Sequence, residues 1–131
     1  MSAAQFLDPP TLHAPSGYSH VAETSGGRTI YLSGQVALSP EGQIVGADDT
    51  RLQAEQVFTN LSNALAAVGA TFDNVVKLTY FMIDMADFPS VREVRDSFVN
   101  TSRPPASSAV QVSGLVFDWI RLEVEAIAVI D

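Results

Sequence analysis

The residues best placed to do chemistry sit in the last strand-like run of the chain, Trp119–Ile130. Ile120, Leu122, Val124, Ala126, Ala128 and Ile130 share one parity there, and Arg121, Glu123, Glu125, Ile127 and Val129 share the other. Alternation with a period of two marks a strand with one face on a core. Its second face mixes charge with apolar side chains, which suits a site or a subunit contact. A carboxylate such as Glu123 can hold and deprotonate an attacking water there, or it can pair with Arg121. Upstream, His20 shares the parity of Tyr18 and is a candidate proton shuttle, whereas His13 has no assigned role. Asp48-Asp49 reads as helix capping rather than metal binding, because no second ligand pair is spaced to join it. Gly26 and Gly27 lack the strand–loop–helix setting of a phosphate loop and read as turn residues.

The elements that must position these groups follow from the patterning. Residues 1–16 hold three of the seven prolines and no period, which predicts an irregular arm. Tyr18–Thr24 and Arg28–Val36 are strand-like runs parted by Ser25-Gly26-Gly27, a hairpin signal. Ser39–Gln43 reads as a turn and Gln43–Val45 as a brief strand. Asp48, Asp49 or Thr50 can cap a helix reaching Val68, with Ala54, Val57, Phe58, Leu61, Ala64, Leu65 and Val68 on one stripe and Gly69 as its left-handed terminator. Asn74–Ile83 is a β-rich run. A second helix is expected over Met85–Phe98, with Pro89 in its first turn. Phe88, Val91, Val94 or Arg95, and Phe98 would face inward, and Arg92 and Asp96, four apart, could pair on the outside. Pro104-Pro105 stops that helix and starts two neighbouring strands, Pro105–Ser113 and Trp119–Ile130. The order is ββαβαββ: an α+β layered domain at 17–131, one mixed sheet with two helices on one face.

Composition removes several classes of function. The chain has 131 residues, enough for one domain with a real core. No window approaches the roughly 18 to 20 apolar residues of a membrane span, and the first residues lack the basic start and apolar run of a secretory signal. Cysteine is absent, so disulfides and thiolate chemistry are out. The cytoplasm is the expected compartment. Seven basic against fifteen acidic residues give a net charge of −8, and Lys77 is the sole lysine. Phosphate neutralisation drives nucleic-acid binding, so neither nucleic acid nor a membrane is expected as a partner.

Two helices cover only one face of a sheet of five or six strands. Parity assigns Tyr31, Ser33, Gln35, Lys77, Thr79, Phe81, Ser107, Ala109, Gln111, Arg121, Glu123 and Ile127 to the other. That set is too apolar for open water and too polar for a monomer core, so the face is expected to meet further copies of the chain.

Five phrases, taken in order, carry a resemblance. They are Gly17-Tyr18-Ser19-His20, Tyr31-Leu32-Ser33-Gly34-Gln35, Asp73-Asn74-Val75-Val76-Lys77-Leu78, Pro104-Pro105-Ala106-Ser107-Ser108 and Leu122-Glu123-Val124-Glu125-Ala126-Ile127-Ala128-Val129. Together they resemble the RidA/YjgF family, also called L-PSP after an old endoribonuclease label, from about Gly17 to Val129. The resemblance implies a chorismate-mutase-like domain, a homotrimer with inter-subunit clefts, and hydrolysis of enamines or 2-imino acids to 2-oxo acids and ammonia without a cofactor. It implies a cleft lined by Tyr18 and Gly34, with Glu123 placing water. The family's carboxylate-binding arginine is not carried over, since Ser107 stands in its place. Ala109 follows where cysteine is frequent, and Arg92 stands where some deaminases have asparagine.

A bidentate arginine–carboxylate contact includes charge-assisted bonds contributing roughly 1.5–3 kcal/mol each. One neutral hydroxyl cannot replace that fork. The exchange therefore implies poor action on 2-aminoacrylate-type imino acids, with Arg92, Arg103 and Arg121 as rival replacement anchors. A non-catalytic trimer binding a small metabolite is the alternative, and an endoribonuclease fits the acidic charge least.

Overall fold

The computed structural model describes residues 4–131. Six strands and two helices form in the order β1 (Ala4–Leu7), β2 (Val21–Thr24), β3 (Arg28–Gln35), α1 (Thr50–Ala66), β4 (Val75–Met82), α2 (Phe88–Asp96), β5 (Ala106–Gln111) and β6 (Leu122–Ile130). The main sheet has the strand order β3-β6-β4-β5, with β6 antiparallel to both neighbours and β4 parallel to β5. Because β3 and β4 each run against β6, they run with one another. Both helices are thus crossovers between parallel strands, the connection such strands require. The fold is α+β: two helices packed on a mixed sheet.

The core lies between the helices and one face of this sheet. Val57, Phe58, Leu61 and Leu65 of α1 and Val91 of α2 are wholly buried against Leu78, Tyr80, Met82, Leu122, Val124 and Ala128. In β6 the expected parity holds throughout, with Leu122, Val124, Ala126 and Ala128 buried and Glu125 exposed. Asp49 caps α1 by accepting from Leu52 N at 3.1 Å. The helix closes at Ala66, two residues short of the expected Val68, and Gly69 follows at φ 76°. A 3-10 turn, Met85–Asp87, opens the expected second helix, and α2 itself starts at Phe88.

Several expectations about pairing are corrected. The expected irregular arm contains β1, which pairs antiparallel with β2 in a separate two-stranded ribbon. Residues 1–3 of that arm lie outside the described residues. The Gly26-Gly27 turn consequently joins two sheets instead of closing a hairpin, since β3 pairs with β6. Likewise β5 and β6 are not neighbours, because β4 lies between them. The ribbon folds over one end of the helix-free face, where Ala4, Phe6 and Ala22 pack on Val76, Ile127 and Val129.

Register also reassigns faces. Ser107 sits opposite buried Leu78 in the ladder, and Ala109 packs on the core. Ser107, Ala109 and Gln111 therefore belong to the helix-bearing face, whereas Ser108 accepts from Lys77 Nζ at 3.1 Å on the helix-free one. A bulge sets both Ser33 and Gly34 against Glu125, so that Gln35 pairs with buried Val124 and turns to the helix side. Tyr31, Lys77, Thr79, Phe81, Glu123 and Ile127 keep the expected face, and Tyr31 is 77% exposed.

Candidate active site in two halves

The first half is built by β3 and β6. Glu123, the second residue of β6, lies beside Phe81 of β4, and its carboxylate rests on Gly34. A Cβ at position 34 would stand 2.7 Å from Glu123 Cδ and closer still to Oε2. Glycine is thus required by the side chain lying over it rather than by its own backbone. Arg121, the alternative partner for Glu123, instead donates from Nη2 to Asp87 Oδ2 at 2.9 Å. Among the described residues Glu123 has no hydrogen-bond or ion-pair partner, so its lone pairs remain available to a water or a ligand.

Asp87 also accepts from Thr50 Oγ1 at 2.9 Å. The hydrogen bond from Arg121 is the main cause holding the Asp87 carboxyl below the usual carboxylate range, and it raises Arg121 in turn. The start of β6 is fixed from the core side by Gln53, a fully buried polar residue of α1. Its amide donates to Gly46 O and Trp119 O at 2.9 Å and accepts from Arg121 N at 2.8 Å. Glu123 is therefore placed by a side chain from another element.

The second half gathers at the free edge of β5. Ser19 forms a parallel bridge to Ala106, donating from its backbone to Pro105 O at 3.1 Å. This brings Tyr18 to the edge where Ser107 lies half-buried. The Tyr18 hydroxyl is 2.9 Å from His13 Nε2, and its ring meets that of His20 edge-on at 5.3 Å. His20 in turn donates from Nε2 to His13 O at 2.7 Å, so it packs behind Tyr18. Beside them a cavity of about 320 Å³ opens between Ser16-Gly17 and the outer surface of α2, lined there by Arg92, Glu93, Arg95 and Asp96.

Arg92 lies over the Phe88 ring at 5.7 Å and has no ionic partner among the described residues, so the expected Arg92–Asp96 pair is not formed. Asp96 pairs with Arg95, which is 5% exposed and passes beneath Gly17. Gly17 has φ +79°, and a Cβ there would stand 2.5 Å from Arg95 Nη2, so both backbone and packing demand glycine. Arg95 also nears the buried Tyr80 hydroxyl. Burial pushes that hydroxyl well above its ordinary pKa, and the guanidinium opposes the shift without a hydrogen bond of good geometry. Of the other rival anchors, Arg121 is held by Asp87, and Arg103 lies 5.1 Å over Phe6 with Nη2 3.5 Å from Ala4 O.

A single chain does not bring the two halves together. Glu123 faces the helix-free side of β6, whereas Ser107 faces the helix side of β5, two strand spacings or about 10 Å across the sheet. Sequence reasoning missed Gln53 and His13, whereas Arg95, offered as an alternative to Val94 on the buried stripe, is buried together with it. Gln53 directly precedes Ala54 in the apolar stripe, so a polar residue beside a core position was the available signal for it. The contact of His13 is a loop contact with no periodic signature.

The geometry is thus a layered α+β domain with a carboxylate laid against a glycine and a tyrosine at a sheet edge. The family model described as Endoribonuclease L-PSP matches residues 10–130. The chain is 42% identical over 123 residues to the 2-iminobutanoate/2-iminopropanoate deaminase of Mus musculus, covering 91% of this chain and 87% of that protein. It is 40% identical over 112 residues to protein DfrA of Myxococcus xanthus, covering 86% and 84%. The crystal structure of the Rid-family protein YyfB from Yersinia pestis superposes with a TM-score of 0.89 at 31% identity, covering 98% and 99%. The chain belongs to the RidA/YjgF (L-PSP) family.

Proposed function

We propose that this chain is a diverged, cofactor-independent hydrolase of the enamine/imine deaminase type that works as a homotrimer. Its clefts join Glu123 and Gly34 of one copy to Tyr18, Ser107 and Arg92 of the next. The observation that carries this reading is the Glu123 carboxylate, laid against a glycine on the helix-free face and without a hydrogen-bond or ion-pair partner among the described residues. Hydrolysis of an imine needs a placed, deprotonated water and stabilised charge at the departing nitrogen. Glu123 supplies the first, and Tyr18 from across the cleft supplies a hydroxyl for the second. The relatedness to a 2-iminobutanoate/2-iminopropanoate deaminase supports the reaction class.

Ser107 separates this chain from that substrate. Losing about 3 kcal/mol of carboxylate anchoring costs on the order of 100-fold in rate. The expected result is little acceleration of ammonia and 2-oxo acid release when the protein is added to an amino-acid oxidase generating imines. Ser107→Arg raises that rate, and Glu123→Gln in the same background removes it. A robust native rate on ordinary imino acids would show that the anchor is not lost. Ser107 is also what favours the second reading, a non-catalytic trimer that binds a small metabolite. Failure of Ser107→Arg to restore any rate, with a small carboxylate or aldehyde still binding, selects it.

A further inference from the structure

The proposed cleft uses Tyr18 as a hydroxyl donor, and the residue governing that hydroxyl lies in the segment that sequence patterning left without a role. We propose that His13 is a positioning residue for Tyr18: it holds the hydroxyl and, by its own protonation, decides where the hydroxyl proton points. The inference rests on the function proposed above and adds a pH dependence to it.

The geometry restricts the hydrogen bonds. His20 Nε2 lies 2.7 Å from His13 O; a carbonyl only accepts, so His20 carries its proton on Nε2. The backbone N–H of His20 is taken by Asp8 Oδ1 at 2.8 Å, and the His13 and His20 rings meet edge-on at 4.8 Å. The loop is thus closed on itself, with His13 Nε2 turned to the Tyr18 hydroxyl at 2.9 Å. A bare Nε2 accepts the Tyr18 proton and withholds it from the cleft. A protonated imidazole has only donors, so it must donate to the Tyr18 oxygen. The hydroxyl proton is then released toward a ligand.

The charged groups nearby come from three directions. Asp8 and His20 belong to the same segment, and Arg103 lines a cavity with Asp8 and Ser19. From α2, Arg92, Glu93, Arg95 and Asp96 surround the cavity at Ser16-Gly17.

The test uses the full chain with 13C-labelled tyrosine rings, the Tyr18 signal being identified by its loss in Tyr18→Phe. The Tyr18 Cζ resonance is expected to shift as His13 takes up its proton, and His13→Ala should abolish that step. Hydrolysis by Ser107→Arg should fall on the order of 10-fold as pH rises through the same step, because donor alignment rather than the donor is lost. His13→Gln, whose amide donates at every pH, should flatten that limb without abolishing the rate. A Tyr18 signal that is flat from about pH 5.5 to 8, or that steps unchanged in His13→Ala, overturns the proposal. A coupled shift without hydrolysis at any pH by Ser107→Arg would instead refute the catalytic reading and leave the His13–Tyr18 linkage standing.

Discussion

A methyl group at position 34 has no room while Glu123 keeps its present rotamer, since three of that side chain's atoms lie within 2.9 Å of where it would go. Gly34→Ala should therefore act on Glu123 more than on the fold. Glu123 ends in a flexible chain and can swing away, so the expected stability cost is small, about 1 kcal/mol. The loss of imine hydrolysis in a Ser107→Arg background should approach that of Glu123→Gln. Thermal unfolding beside the coupled assay separates the two effects, and a large drop in melting temperature with activity retained would contradict this assignment. At this scale the sequence was partly legible. Glu123 and Gly34 were recognisable from their phrases, but the face of Ser107 was not. Ala106, Ser107, Ser108 and Ala109 are small on both parities, so only register against β4 decides which side each takes. Gln35 was misplaced for a different reason: a bulge inserts one residue, and no local pattern announces it.

Among the elements, α1 controls the start of β6 through Gln53. Gln53→Leu keeps the volume and leaves Gly46 O, Trp119 O and Arg121 N without their buried partner. The expected cost is about 2–4 kcal/mol, combining lost hydrogen bonds with unsatisfied groups, and urea unfolding measures it. The Asp87–Arg121 link ties the 3-10 turn before α2 to the same place. The carboxyl pKa of Asp87 is lowered in the folded chain relative to its ordinary value of 3.8. Its contribution is therefore fully present above about pH 4 and is lost as pH falls through the lower folded value. Asp87→Asn should make unfolding less sensitive to acid in that window, without changing the slope near neutrality. The helices were legible because their stripes are local and strongly periodic. Strand order was not, because the insertion of β4 between β5 and β6 is a non-local choice. β1 was invisible for want of length: Ala4-Gln5-Phe6-Leu7 is too short to show a period.

For the whole molecule, the helix-free face is the feature that demands explanation. Tyr31, Phe81, Thr79 and Ile127 lie on it around the charges of Lys77, Glu123 and Glu125, and a hollow of about 110 Å³ opens between Tyr31 and Lys77. If three copies meet here, solution mass is three times 14.0 kDa, and Tyr31→Glu, away from the proposed catalytic groups, shifts it toward the monomer with loss of cleft activity. A native monomer by light scattering would refute that assembly. The N-terminal segment has a consequence of another kind. β5 is the outermost strand of its sheet, and Ser19 is bonded to the backbone beside its first residue. Unpaired strand backbone invites any passing extended peptide to join it. Trimming the chain past Ser19 would thus do more than delete a ribbon. It would bare the beginning of that row to other molecules, and the shortened protein would tend to clump while the packing between its helices and sheet remained whole.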